Sequence, residues 1–239
     1  GCAGYYPLMA TAEGMIGITG TNARPSIAPT FGVENMLGTN PMTLGIPTDE
    51  PFDFVLDCAT STTQRGKIEA YAREDKTLPE GWVIDHQGHS ETNPHKVLQD
   101  LVKGDAALTP LGGIGEELAG YKGYGYATVV EILSSALHAG PFLKALTGVD
   151  DNGKGIPYRL GHFFMAIDVE HFTELQQFKT HTGEILRALR SSQKAPGCER
   201  IYTAGEKEHL IYLERQHKGA PIGEVLMKQI EELKERFSL

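Results

Sequence analysis

Between Leu111 and Ala127 the chain reads LGGIGEELAGYKGYGYA, with six glycines from Gly112 to Gly125 set around one lysine, Lys122, and an apolar stretch following. Backbone N–H groups of a glycine-rich turn at a helix N-terminus converge on an anion, and a lysine there adds a full positive charge. The chemistry implied is phosphate or pyrophosphate binding. A surface loop has the same composition, so that reading stays open. Spacing excludes two familiar phosphate motifs. No Ser or Thr follows a Gly-Lys pair as a Walker loop requires. In Gly113-Ile114-Gly115-Glu116-Glu117 the next residue, Leu118, stands where a dinucleotide fingerprint needs a small side chain, and no strand precedes it.

Asp57-Cys58-Ala59-Thr60-Ser61 closes an apolar run. Small residues and hydroxyls at a strand end line a pocket and bond a ribose or phosphate, and Asp57 is placed to accept from a sugar hydroxyl. The same residues also read as an ordinary helix cap. Cys58 has no neighbouring base or cation in sequence and reads as a small apolar residue. Asp85, His86 and His89 surround a glycine turn without a third ligand at fixed spacing, so no metal site is expected. His162, with Asp168 six positions on, reads as a proton carrier or as a core histidine, the latter preferred. Leu8, Met9, Phe163 and Phe164 read as packing.

These groups need a scaffold. Residues 4–13 have helical apolar spacing, with Pro7 tolerable in a first turn and Gly14 as a stop. Residues 15–20, 42–46 and 52–57 read as strands, and 64–74 as a helix after the capping run ATSTT. Residues 82–85 read as a short strand before a turn at Gln87-Gly88, the polar loop after it runs through Pro94, and 95–100 form at most a helical turn. Residues 122–140 are apolar on nearly every side and predict a buried helix. Residues 150–155 read as a loop, and 162–169, apolar on both faces, as a central strand. Helices at 173–191 and 222–237 and a short strand at 201–203 complete the reading. The outcome is an α/β, α+β-like domain with a mixed, largely antiparallel sheet flanked by helices, because the cadence of a doubly wound sheet is missing.

With 239 residues the chain is long enough for a substantial core. A net charge of −9 argues against nucleic-acid or anionic membrane partners, which require clustered Lys and Arg. No apolar run reaches the roughly 20 residues of a membrane helix, and Gly1 onward lacks a signal peptide's basic start. Three cysteines without CxxC spacing suggest neither a disulfide framework nor a zinc site, in keeping with a reducing cytoplasm. The chain opens without methionine directly before a helix-like segment, so further sequence is expected upstream.

Taken in order, GCAGYYPLMATAEGMIGITGTNARP, FGVENMLGTNPMTLGIP, FVLDCATS, LGGIGEELAGYKGYGYA, GHFFMAID and Gly205-Glu206 resemble the type 2 malate/L-lactate dehydrogenase family, a group that includes L-sulfolactate, ureidoglycolate and diketogulonate enzymes. The resemblance implies a non-Rossmann binder of NAD or NADP, assembled as a homodimer whose partner contributes to the active site. It implies that Asp57, Cys58 and Ala59, with Thr60 and Ser61, contact the cofactor. Lys122 beside Gly123 would approach its phosphate or ribose, and Gly205 and Glu206 would close the pocket. The family has a small residue, often serine, where Ala23 stands, so Ala23 offers backbone only. A histidine two residues before Gly1 and a Ser/His/Arg cluster further upstream would supply the proton donor, which leaves the catalytic residues unassigned within this chain. Residues 1–205 would form the cofactor-binding domain, and 206–239 a helical segment packing on an N-terminal domain outside the chain. The expected activity is hydride transfer between NAD(P)H and a 2-oxo acid, malate/oxaloacetate first and lactate or sulfolactate next. Reduction of a cyclic imine or diketo sugar acid, or a catalytically inactive nucleotide-binding fragment, are the alternatives. Arg65 and Lys67 are the cations considered for a ribose 2′-phosphate.

Overall fold

The computed structural model describes residues 2–150 and 152–238; Gly1, Leu239 and residue 151 within the expected 150–155 loop lie outside that range. Short runs of β-branched and apolar residues form β1 (Met15–Thr21), β2 (Met42–Ile46), β3 (Phe54–Cys58) and β6 (His162–Asp168), paired in the order β3-β2-β1-β6. Every pairing in this sheet is antiparallel. A second ladder joins β4 (Val83–Asp85) and β5 (Ala106–Leu108), also antiparallel. The expected largely antiparallel, helix-flanked α/β arrangement is thus what forms, and among the described residues no pair of named strands runs parallel as a Rossmann unit would need.

Helix α1 (Tyr5–Ala12) lies across β1 and β2. Glycines in the strands permit that approach: a Cβ at Gly17 would sit 2.7 Å from Pro7 Cα, and one at Gly45 2.8 Å from Pro7 Cβ. Gly17 and Gly45 face each other in register, so the two form one seat for the helix. Helices α2 (Arg65–Arg73) and α3 (Pro94–Lys103) close a separate apolar core against β4 and β5, centred on Ile27, Ile68, Leu78, Val83, Val97 and Leu108.

Five sequence expectations change. A strand does precede the glycine-rich run, since β5 ends at Leu108, three residues before Leu111. The segment 95–100 is part of the full helix α3, because Asn93 caps it by accepting from the N–H groups of His95 and Lys96 at 3.0 and 3.2 Å, with Pro94 at the first helical position. Helix α4 (Gly120–Ser135) is not buried all round. Its small and polar stripe, Gly120, Gly123, Ala127, Val130, Glu131 and Ser134, faces inward, while Tyr124, Tyr126, Val129 and Ile132 are exposed. Strand β6 is not central but lies at the sheet edge, pairing only with β1. Its two apolar faces reported a need for cover on both sides, which says nothing about which strands flank it. Residues 201–203 form no strand, because the Thr203 N–H is taken by the Glu206 carboxylate at 3.1 Å. Helix α5 (Leu175–Ser191) follows expectation, and α6 (Glu206–Lys218) and α7 (Glu224–Phe237) end the chain, α7 burying none of its residues. Among the described residues no helix is long and apolar enough to cross a membrane.

Candidate functional site

The antiparallel register places Asp57, Thr43, Thr19 and Phe164 side by side across the four strands, with Thr21 beside His162 in the next row. This row lies on the face that seats α1. The Asp57 carboxylate ties the helix to the sheet: its Oδ2 accepts from the Gly4 N–H at 2.7 Å, at the positive end of α1, and its Oδ1 from Thr43 Oγ1 at 3.1 Å. Between the first turn of α1 and the strand ends opens a cleft of about 810 Å³. Tyr5, Tyr6 and Phe164 form its aromatic wall, and the Tyr6 and Phe164 rings meet edge to face at 4.9 Å. Ala23 and Ala59 leave room, while Asn22, Gln64 and His162 contribute polar groups. Asp57 is exposed and keeps lone pairs to accept from a ligand hydroxyl. Among the described residues no Lys or Arg lines this cleft. Its size suits a small-molecule or cofactor site, commonly about 300–1,000 Å³. A second concavity of about 660 Å³ runs beside α4 between Ile132 and Phe142; its lining is mostly apolar, with Thr128, Glu131 and Ser135 among its polar side chains.

The sequence-derived residues divide among three places. Ala23, Asp57 and Ala59 line the cleft together. Thr60 and Ser61 lie directly behind it and are buried, the Thr60 hydroxyl donating to the Thr39 and Asn40 carbonyls at 3.2 and 3.0 Å and that of Ser61 to Thr63 at 2.7 Å. Gly123 is also behind this turn. A Cβ there would come 2.2 Å from the Leu111 carbonyl oxygen, and the Leu111 N–H donates to Thr60 at 2.9 Å. Lys122, one residue away, is exposed with its Nζ 5.8 Å from the Tyr121 ring centre, off the cleft wall. Much of the glycine-rich run serves packing of the loop on its own helix, as at Gly120, where a Cβ would meet the Gly113 carbonyl at 2.1 Å.

Cys58 is half-buried, with its Sγ 3.8 Å from the Met42 carbonyl. Burial, then the charge of Asp57, push its thiol pKa upward, which keeps it protonated. Gly205 and Glu206 run along the outer edge of β3, where Val55 N–H donates to Ala204 at 3.4 Å. Gly205 has φ +89°, and a Cβ would come 2.8 Å from the Asp53 carbonyl. Glu206, 1% exposed, accepts from Arg200 and lies 3.7 Å from Arg190, so its carboxylate fixes the start of α6.

Tyr5, Tyr6, Asn22, Gln64, His162 and Phe164 were not singled out for this cleft. His162 is exposed on the cleft, not in the core, and its strand partner for proton relay is absent, since Asp168 at the far end of β6 pairs with His171 at 2.9 Å. Phe163 is packed at 9% exposure but Phe164 is turned outward at 60%. Asp85 closes a turn by accepting from the Gln87 and His89 N–H groups at 2.8 and 2.9 Å.

The pattern of a family described as malate/L-lactate dehydrogenase matches residues 1–231. A malate dehydrogenase of Pyrococcus horikoshii is 44% identical over 240 residues, which are 100% of this chain and 64% of that protein. A malate/(S)-sulfolactate dehydrogenase of Methanothermus fervidus is 31% identical over 242 residues, again 100% of this chain and 64% of that protein. The crystal structure of malate dehydrogenase from Entamoeba histolytica superposes with a TM-score of 0.91 at 44% identity, covering 99% of this chain and 65% of that one. The chain therefore spans slightly under two thirds of the length of these relatives. With its sequence matched almost end to end and its antiparallel sheet superposed on theirs, the chain belongs to the malate/L-lactate dehydrogenase family.

Proposed function

We propose that the protein is a nicotinamide-dependent dehydrogenase interconverting a 2-oxo and a 2-hydroxy acid, with oxaloacetate and malate the favoured pair. The observation that carries this is the cleft in which Ala23, Asp57 and Ala59 meet an aromatic wall, in a chain of this family. When bound, the cofactor supplies the hydride that turns a 2-oxo acid into a 2-hydroxy acid, one proton completing the alcohol, and takes the hydride back in reverse. The chain's own part is binding and orientation. Asp57 accepts from ribose hydroxyls, Ala23 and Ala59 let the ligand approach the backbone, and Tyr6 and Phe164 offer ring faces and edges to a planar base.

Either NAD or NADP meets these requirements. Arg65 pairs with Glu69 at 2.9 Å and the Lys67 ammonium lies 5.9 Å from the Trp82 ring centre, so neither is free for a 2′-phosphate in this conformation. Lys122, Gly205 and Glu206 belong to the proposal as groups around the site, Lys122 toward the phosphates. A division at residue 205 is part of it too, supported by the exposed apolar residues of α6 and α7, such as Leu210, Leu213 and Leu226. The outward side of α4, where Tyr126, Val129 and Ile132 are exposed, supports a homodimer, and three free cysteines support a reducing cytoplasm.

Sulfopyruvate is the second substrate, favoured by the Methanothermus fervidus relative, whose name joins malate to sulfolactate. The test is oxidation of NADH and NADPH by the purified full-length protein with oxaloacetate, pyruvate and sulfopyruvate. Oxaloacetate is expected to react with the highest kcat/KM; no turnover with any of the three overturns the proposal, and a preference for sulfopyruvate replaces malate by sulfolactate.

A further inference from the structure

Behind the cleft wall a single carboxylate gathers the loops that form it. Glu131, midway along α4, is 5% exposed. Its Oε1 accepts from the Leu143 N–H at 3.0 Å and, at a long 3.4 Å, from Asn22 Nδ2; its Oε2 accepts from Asn40 Nδ2 at 2.8 Å. Asn22 and Asn40 are both fully buried, and each directs its other side-chain atom to a segment of the cleft. Asn40 Oδ1 accepts from the Ala23 N–H at 3.0 Å, and Asn22 Oδ1 from the Gly161 N–H at 2.8 Å. The Asn40 carbonyl accepts from Thr60 Oγ1 at 3.0 Å, which extends the set to the Ala59–Thr60 turn. Residues 22–23, 39–41, 59–60 and 160–162 come from four separate parts of the chain, and all four contribute to the cleft or to the turn directly behind it.

The geometry requires a carboxylate. All three partners of the Glu131 side chain, two amide groups and one backbone N–H, are donors, and only a carboxylate offers acceptors on both oxygens without a donor to oppose them. Two of the residues it holds have left-handed backbones, Asn40 at φ +32° and Leu143 at φ +48°. Leucine takes that conformation only where its surroundings impose it. At Leu143 the Glu131 oxygen receives the backbone N–H, and the side chain packs against the apolar core. Gly161 reaches its place only because it lacks a side chain, since a Cβ would fall 1.6 Å from the Ser134 carbonyl of α4. The loop carrying His162 is therefore seated directly on the helix that carries Glu131.

We propose that Glu131 is a positioning residue for the nicotinamide site: it sets the relative placement of the loops bearing Ala23, Ala59 and His162 without touching the ligand. This rests on the preceding reading of the cleft as that site. Removing it loosens the cleft, so the deficit appears in cofactor affinity more than in turnover.

The experiment uses the full-length protein with Glu131→Gln, measuring NADH and NADPH dissociation constants by cofactor fluorescence alongside KM, kcat and the thermal midpoint. An amide there sets an NH2 group against one of the three donors. The expected result is a rise of about tenfold in the cofactor dissociation constant and KM, equivalent to about 1.4 kcal/mol, with a smaller change in kcat and in KM for the 2-oxo acid. A lowered thermal midpoint with unchanged cofactor affinity shows a merely structural role and overturns the inference, as does a loss confined to kcat. Should Glu131→Gln fail to fold, Asn40→Gly decides, at a residue that does not line the cleft and whose φ of +32° glycine accepts: weaker cofactor binding supports the inference, and unchanged binding overturns it. Wild-type protein that binds neither NADH nor NADPH defeats the nicotinamide reading itself, an outcome distinct from wild-type binding that the variants leave intact.

Discussion

At the residue scale, the three cysteines offer a direct test of where the cofactor sits. Cys2 and Cys198 are exposed, but only Cys2 lines the cleft. Cys58 lies beside Asp57 with its thiol pKa raised by burial and by that charge. Thiolate is the reactive form, so a raised pKa lowers its fraction at neutral pH. Alkylation at pH 7.5, followed by peptide mass spectrometry, is expected to modify Cys2 and Cys198 at least about tenfold faster than Cys58. Saturating NADH is expected to protect Cys2 and not Cys198. Equal labelling of Cys2 with and without cofactor places the ligand elsewhere. The sequence made Asp57 visible as an acceptor at the end of an apolar strand, but did not show that the same carboxylate also fastens α1 to the sheet through Gly4 and Thr43. It could not show that Phe164 and His162 share its face, because that depends on the register between β6 and β1, strands separated by about half the chain. Nor could it show that the hydroxyls of Thr60 and Ser61 turn inward, since their carbonyl partners are chosen only once the turn has folded.

At the scale of elements, a chain of ion pairs fastens α5 to the loop before β3 and to the start of α6. Arg187 bonds Asp49 and Glu50, Arg190 bonds Glu50 at 2.7 Å, and Glu206 lies between Arg190 and Arg200. The hydrogen bond from Arg190, more than any other influence, holds the Glu50 carboxyl below its ordinary pKa. A carboxyl with a depressed folded-state pKa contributes stability in full above its unfolded value, about 4.3 for glutamate, and loses it as pH falls through the folded value. Arg190→Gln is therefore expected to cost about 2 kcal/mol at pH 7, as for a largely buried partner removed from its carboxylate. The gap to wild type narrows as pH falls below about 4. Urea unfolding at pH 7, 5 and 3.5 measures it, and a gap that stays constant across that range refutes the role given to Glu50. Elements with local signals were legible: β2 and α1 follow from apolar spacing and flanking Gly and Pro. Helix α3 is longer than its sequence suggests because Asn93-Pro94, which has the composition of a loop end, is the cap and first residue of a helix. Helix α4 and strand β6 misled for a common reason. Their apolar residues indicated burial, yet Ile132 and Phe164 are 52% and 60% exposed in this chain. Hydrophobic pattern records what a surface is built to meet, and the meeting surface need not be the adjoining element.

At the scale of the whole molecule, those uncovered faces carry the proposal of a homodimer. Tyr126, Val129 and Ile132 follow one another at three-residue spacing along the outward side of α4, all about half exposed, and Leu137 and Phe142 continue the apolar surface beyond the helix. Among the described residues strand β6 is an outer strand with one neighbour, and folded proteins ordinarily cover such an edge or blunt it with charge. Monomeric proteins seldom leave contiguous apolar patches beyond a few hundred Å², whereas a stable pairing of identical chains buries about 1,600 Å² or more across two such patches. A two-fold interface uses the same residues twice, so one charge placed on it acts on both copies and its effect is doubled. Val129→Glu tests this at a position that is 47% exposed, on the side of α4 turned away from the buried Glu131. Sedimentation equilibrium of the full-length protein is expected to give twice the chain mass at micromolar concentration, and Val129→Glu to raise the dimer dissociation constant by at least about a hundredfold, or roughly 2.7 kcal/mol. Far-ultraviolet circular dichroism of the variant should match wild type, because the substituted side chain leaves no core contact behind. A monomeric wild type overturns the homodimer. A dimer indifferent to Val129→Glu moves the interface off α4 and onto the other uncovered surfaces, β6 or the apolar residues of α6 and α7, where Met165→Glu and Leu226→Glu distinguish the two.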